Sequence, residues 1–205
     1  MTRPRTLFTL AVSAGLLACG NDGTGPGDDV KTDAELTVLR TAASAPPLVA
    51  TTASFYALKG ENREVRLYYR PAPGSLDSTE FLRFKVPDES LDRRPDGSVI
   101  AVGDSVLITV TVLDAAKLIV DFQPAGLRFA ASKPAELKLS FAEADGDLDD
   151  DGDIDGDDVA AESRLAIWRR ETIADPWVRL SSVLSVSRDE VEATITGFTN
   201  YAIAY

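Results

Sequence analysis

The sequence predicts an all-β protein built as an antiparallel β-sandwich, and three observations carry that prediction. From about Thr51 onward the apolar residues recur with a period of two rather than 3.6. Short turn-forming clusters separate the alternating segments. No long stretch carries the spacing of an amphipathic helix. About ten such strands over roughly 155 residues is the spacing of a sandwich or barrel.

Taken in chain order, the amino end comes first. Arg3 and Arg5 precede an apolar run from Leu7 to Ala18, followed by Cys19. A charged start, a short apolar stretch and small residues before a cut describe a secretory signal. The run falls well short of the ~20 residues a spanning helix needs. Leu16-Leu17-Ala18-Cys19, followed by Gly20, resembles the lipobox of bacterial lipoproteins. That resemblance implies that residues 1–18 are a signal peptide, that Cys19 is diacylated, and that its new amine is then acylated. Several acyl chains, at ~0.8 kcal/mol per buried methylene, would hold the protein stably to a membrane. Gly20, rather than Asp, after the cysteine is similar to lipoproteins sent to an outer membrane. The implied location is the bacterial cell envelope, on the periplasmic face or the cell surface.

Gly20 to Asp33 is rich in Gly and Asp and has no apolar face, so it reads as a tether with an r.m.s. reach of about 20 Å. Residues 34–50 read either as a first edge strand or as tether continuing to Pro46-Pro47. The alternating pattern sets the division: tether over 19–50, folded domain over 51–205.

Within that domain, Val65, Leu67 and Tyr69 alternate with Arg66 and Arg70, and Leu82, Phe84 and Val86 with Arg83 and Lys85. Val106, Ile108, Val110 and Val112 share a face opposite Thr109 and Thr111, and Leu118, Val120 and Phe122 share another. Leu137, Leu139 and Phe141 oppose Glu136, Lys138 and Ser140. Leu165 with Ile167, Val191 with Ala193 and Ile195, and Tyr201 with Ile203 and Tyr205 follow the same rule. These are half-buried strands. Gly60-Glu61-Asn62, Pro71-Ala72-Pro73-Gly74, Arg94-Pro95-Asp96-Gly97, Gly103-Asp104 and Pro124-Ala125-Gly126 mark turns between them.

Several segments resemble the ZU-five domain, a β-sandwich of ankyrins, netrin receptors and tight-junction scaffolds with relatives among bacterial lipoproteins. Phe84-Lys85-Val86-Pro87 with Leu91 is similar to its opening strand. Phe122 to Phe129, followed by Lys133-Pro134-Ala135-Glu136-Leu137, is similar to its most specific strand pair. Trp177-Val178-Arg179-Leu180 and Gly197 to Ala204 are similar to later strands. The resemblance implies an interaction module. Some members of that family cleave their own backbone at a His-Phe-Ser sequence. Here Thr199 stands at the serine position but Gly197 at the histidine, and a hydroxyl without a base is a poor nucleophile near neutral pH.

Composition narrows the function. Lysine and arginine total 21 against 33 acids, a net charge of −12. Phosphate contacts need clustered cations, so nucleic-acid binding is not expected. With no histidine and one cysteine there is no imidazole zinc site, Ser-His or Cys-His pair, internal disulfide or thiolate cluster.

Nine of the 14 residues from Asp145 to Asp158 are aspartate, which leaves 24 acids against 21 bases, or −3, elsewhere. Carboxylates this close repel by ~1 kcal/mol per contacting pair even in water, unless salt screens them or a cation sits among them. With Asp147 at position 1, Asp149 and Asp151 fall at positions 3 and 5, and Gly152 takes the sharp bend at 6. Asp153 stands at position 7 to offer its carbonyl, Ile154 at position 8 to pack inward, Asp155 at 9 and Asp158 at 12. This is a calcium-loop register. It resembles the loops of EF-hand and dockerin modules, with Asp at position 12 as in dockerins. Ca2+ accepts six to eight hard oxygens, whereas Mg2+ keeps its waters and is rarely caged by a full loop. No helix enters the loop, and only residues 158–164 have the character of an exiting helical turn. There is a single loop, so dockerin-type pairing is not implied.

Two other function classes have weaker footing. A histidine-free enzyme needs a carboxylate pair, and Asp121, Glu143 and Glu162 have no spacing that singles them out. A polysaccharide partner would use Tyr68, Tyr69, Trp168 or Trp177 as stacking platforms, with the acidic loop then only a solvated insertion. The sequence thus predicts a non-catalytic, lipid-anchored envelope module with one calcium loop, whose partner is an envelope protein or polysaccharide.

Overall fold

The computed structural model describes residues 30–205. Cys19, the signal at 1–18 and the start of the tether lie outside the described residues. The chain forms two antiparallel sheets packed face to face, as predicted. One has seven strands in the order β1 (Val30–Lys31), β11 (Trp177–Arg179), β10 (Ala166–Arg170), β14 (Asn200–Ala204), β7 (Ile119–Gln123), β6 (Ser105–Asp114), β2 (Thr52–Leu58). The other has five, in the order β12 (Ser182–Ser185), β13 (Glu190–Ile195), β9 (Ala135–Ser140), β4 (Glu80–Val86), β3 (Arg63–Tyr68). A small ribbon of β5 (Leu91–Arg93) and β8 (Arg128–Phe129) stands beside them. Among the described residues one short α-helix, α1 (Gly156–Glu162), and a 3-10 turn at Val186–Arg188 interrupt the β-structure.

Alternation translates directly into burial. Along β6 the residues Val106, Ile108, Val110 and Val112 are buried while Leu107 and Leu113 are exposed. Between the sheets lies an aromatic cluster. Phe84 of β4 meets Phe122 of β7 at 4.9 Å, and Phe198 stacks on Phe122 at 5.2 Å. Phe129 and Tyr201 join at 5.1 and 5.6 Å. Edge-to-face and offset geometries of this kind add ~0.5–1.5 kcal/mol per pair beyond area burial. Gly126 makes the cluster reachable. At φ +82 it turns the chain between Phe122 and Phe129, a conformation open to glycine without strain.

The predicted boundary at residue 51 needs correcting. Residues 30–50 do not behave as tether; they form a strap bound to the sandwich. β1 adds to the edge at β11, with Val30 opposite Val178. Thr37 and Tyr205 exchange backbone hydrogen bonds of 3.3 and 3.2 Å, and the Leu39 N–H donates to the Ile203 carbonyl at 2.9 Å. Leu36 seals Trp168, Trp177 and Ala202 on the outer face of the large sheet, whereas Leu39 enters the main core. Full burial of each leucine is worth ~1.5–3 kcal/mol, which offsets the ordering of its neighbours. Asp33 clips the strap down: Trp177 Nε1 donates to its carboxylate at 2.6 Å and Arg170 Nη1 at 3.0 Å.

Candidate metal centre

The acidic loop joins β9 in one sheet to β10 in the other. Its entrance is held by the strap: Thr41 bridges Ala144, and the Asp145 N–H donates to the Arg40 carbonyl at 2.8 Å. At its exit Asp155 caps α1, accepting from the Asp157 N–H at 2.7 Å. A reciprocal bond runs from the Asp155 N–H to Asp158 Oδ2 at 2.8 Å, completing a capping box.

Between these fixed ends the loop folds around Asp147. Its Oδ1 accepts from the N–H groups of Asp150 and Asp151, at 2.7 and 3.2 Å, and its Oδ2 from Gly152 N–H at 3.0 Å. Gly152 sits at φ +100, so the sharp bend falls where the register requires it. Alternate residues point the same way. As a result Asp147, Asp149 and Asp151 each place one carboxylate oxygen within 4.8 Å of the others. Asp150, between them, turns outward to an ion pair with Arg40 at 2.6 Å.

The electrostatics separate these carboxyls. Burial, and next the charge of Asp151, push the Asp149 carboxyl above its ordinary range. Arg40 pulls the Asp150 carboxyl down through their hydrogen bond. Asp158 is also held low, chiefly by the Asp155 N–H and also by those of Leu148 and Asp149. It is 4% exposed and ties loop entrance to helix start. The triad is thus a nest of negative charge, partly compensated by backbone amides, that could hold a metal ion.

The remaining predicted ligands are placed differently. Asp153 is exposed and gives its N–H to Asp151 Oδ1 at 3.1 Å. Asp155 and Asp158 spend carboxylate oxygens on backbone amides and stand outside the converging triad. Ile154 departs from the prediction: it is 74% exposed instead of packing inward. Its tip rests over Gly146, where a Cβ would come within 3.0 Å, and it borders the cavity beneath the loop without being buried by it. Beneath the loop lies a shallow cavity of about 260 Å³, lined among others by Leu39, Phe141, Leu148, Val159 and Leu165.

Arg40 and Tyr205 are the site residues that sequence reading missed. The Tyr205 hydroxyl donates to the Leu148 carbonyl. Each is one residue far away in the chain, without a motif to announce it.

The candidate catalytic carboxylates are not gathered into one site. Asp121 accepts from Gln123 Nε2 and Asn200 Nδ2 at 2.9 and 2.7 Å on the outer face of the large sheet. The Glu143 carbonyl is paired with the strap, and Glu162 ends α1. Among the candidate stacking rings, Trp168, Trp177 and Tyr69 are buried at 1%, 1% and 2% exposure, which closes them to a sugar surface. The buried Thr199 hydroxyl donates to the Asn200 carbonyl at 2.9 Å. Compared with known proteins, the chain matches no family model, no curated protein and no solved structure.

Proposed function

We propose that the chain is a non-catalytic interaction module, lipid-anchored in the bacterial envelope through Cys19, whose loop 147–158 binds one Ca2+. The observation that supports the reading is the convergence of Asp147, Asp149 and Asp151 on one point, with Gly152 at the bend. Three carboxylates so close raise the energy of the cation-free loop, and a divalent ion reverses the sign of that contribution. The role of the ion is structural. The loop links the two sheets and is bonded to the strap and to the terminal residue Tyr205, so neutralising it braces three parts of the fold together. Asp153 would contribute its backbone carbonyl. Asp155 and Asp158 would act where the register puts them, after exchanging amide partners for metal.

Calorimetric titration tests the site: one Ca2+ per chain, lost when Asp147, Asp149 and Asp151 are all changed to Asn. Heat release unchanged in that triple variant would refute it. The anchor is tested separately, because Cys19→Ser is expected to release an unacylated, soluble form. Persistent incorporation of labelled fatty acid in that variant would refute the lipoprotein assignment.

A further inference from the structure

The cavity beneath the acidic loop is assembled from separate parts of the chain. Its floor is made by Leu39 of the strap, Phe141 just after β9, Leu148 of the loop and Leu165 just before β10. Its walls are tied in place. The Phe141 N–H donates to the Asp189 carbonyl at 2.7 Å, and the Tyr205 hydroxyl holds the Leu148 carbonyl. A site assembled in advance loses little freedom when it is filled. Around the mouth stand two apolar side chains that the fold leaves uncovered, Ile154 at 74% and Val159 at 63% exposure.

The rim is acidic. Asp145, Glu162 and Asp189 line the cavity, and among the described residues no lysine or arginine forms an ion pair with any of them. The cations on this side of the molecule are committed elsewhere. Arg40 is spent on Asp150, and the Arg164 guanidinium lies over the Tyr205 ring at 5.2 Å. An apolar floor under a rim of uncompensated carboxylates recognises two things together, an apolar body and a positive charge beside it.

Size and charge choose the occupant. Sites for free small molecules run to about 300–1,000 Å³, whereas an apolar cavity of about 150 Å³ already admits one aromatic ring. At about 260 Å³ this one suits a single large side chain. Ile154 and Val159 lie at its mouth, where the chain on either side of such a residue would cover them. The acids repel a second copy, which carries −12, and equally an anionic lipid surface or a nucleic acid. We propose that the cavity docks a segment of another protein that carries one large apolar side chain with lysine or arginine beside it. The apolar side chain fills the floor, and the cations meet Asp145, Glu162 and Asp189 at the rim. The docking site rests on the reading of the chain as an interaction module, yet it needs neither the acyl anchor nor the calcium ion.

Amide NMR spectra of the full chain carrying Cys19→Ser test this, in millimolar calcium so that the loop is neutralised if it binds the ion. The probes are two blocked heptapeptides, Gly-Lys-Arg-Leu-Lys-Arg-Gly and the same sequence with phenylalanine at its centre. Shifts are expected at the amides of Leu148, Val159, Glu162 and Asp189, saturating at about millimolar peptide or below. A control peptide with glycine at the centre is expected to bind about tenfold more weakly, because it lacks the side chain that fills the floor. Val159→Ser, at an exposed position, should weaken the leucine peptide by about the same factor, and so should Glu162→Gln combined with Asp189→Asn. Asp153→Asn combined with Asp157→Asn removes equal charge from exposed positions that do not line the cavity, and should leave binding within about twofold. No shift at the cavity amides with either probe overturns the docking site and leaves the calcium titration and the acyl labelling to stand on their own results. Equal binding of the glycine and leucine peptides overturns it too, as does equal weakening by the two double variants, since diffuse attraction to the acidic loop would then account for the binding.

Discussion

Asp147 organises the loop through three backbone amides, and Gly152 lets the chain turn above it. Nothing lies within 4 Å of a Cβ added at Gly152, so the penalty there is purely conformational. Gly152→Ala is therefore expected to cost about 1–2 kcal/mol in urea unfolding, the usual charge for a left-handed L-residue. Asp158 gives a pH signature. Its folded-state carboxyl lies below the ordinary value because amide donors favour the ionised form. Its contribution is complete above the unfolded carboxyl's range and disappears as pH falls through the lower folded value. In chelator, Asp158→Asn should flatten the acid limb of the stability curve below about pH 4. An unchanged limb would show that the cap carries no charge-dependent stability. At this scale the Asp-x-Asp-x-Asp-Gly spacing was legible because it is local: alternate residues of a tight loop face one point. Arg40 and Tyr205 were not, since a contact between single residues far apart in the chain, 57 positions for Tyr205 and Leu148, leaves no period.

From β4 onward the strands of five or more residues were all readable, whereas β12, with four, was not. β6 shows why, with four buried valines and isoleucines on one face. β1, β5 and β8 have two or three residues, too few for a period of two to declare itself. The strap failed for a different physical reason. It sends Leu36 to the outer face and Leu39 to the core, one side chain to each of two layers, so it has neither helical nor strand periodicity. Leu39→Ala should cost about 2–5 kcal/mol in chemical denaturation, as expected for truncating a buried leucine. A loss below a few tenths would mean that the strap is only laid on the surface. The strap also contacts the loop entrance through Arg40 and Thr41. Calcium is therefore expected to slow hydrogen exchange at the Leu39 and Ala42 amides, which donate to Ile203 and Glu143.

Over the whole molecule, two features divide the labour. The aromatic cluster of Phe84, Phe122, Phe129, Phe198 and Tyr201 locks sheet to sheet, and Phe198→Ala should destabilise by about 3–5 kcal/mol. The loop carries nine aspartates and so most of the net charge of −12. The rest of the molecule is close to neutral, with opposite charges interleaved on the outer face of the smaller sheet, as in Lys138 between Glu80 and Glu190. A cation at the loop thus acts where most of the net negative charge is concentrated. Ca2+ binding only the native form adds RT ln(1 + [Ca]/Kd), about 2.7 kcal/mol at a hundredfold excess over Kd. The most direct measurement is the melting temperature of the full chain in EDTA and through a calcium titration to millimolar levels, beside the Asp147/Asp149/Asp151→Asn triple variant. The wild-type midpoint should climb steadily with calcium while the triple variant stays flat. Identical wild-type midpoints in EDTA and in millimolar calcium, or an equal climb in the variant, would contradict a calcium-braced loop.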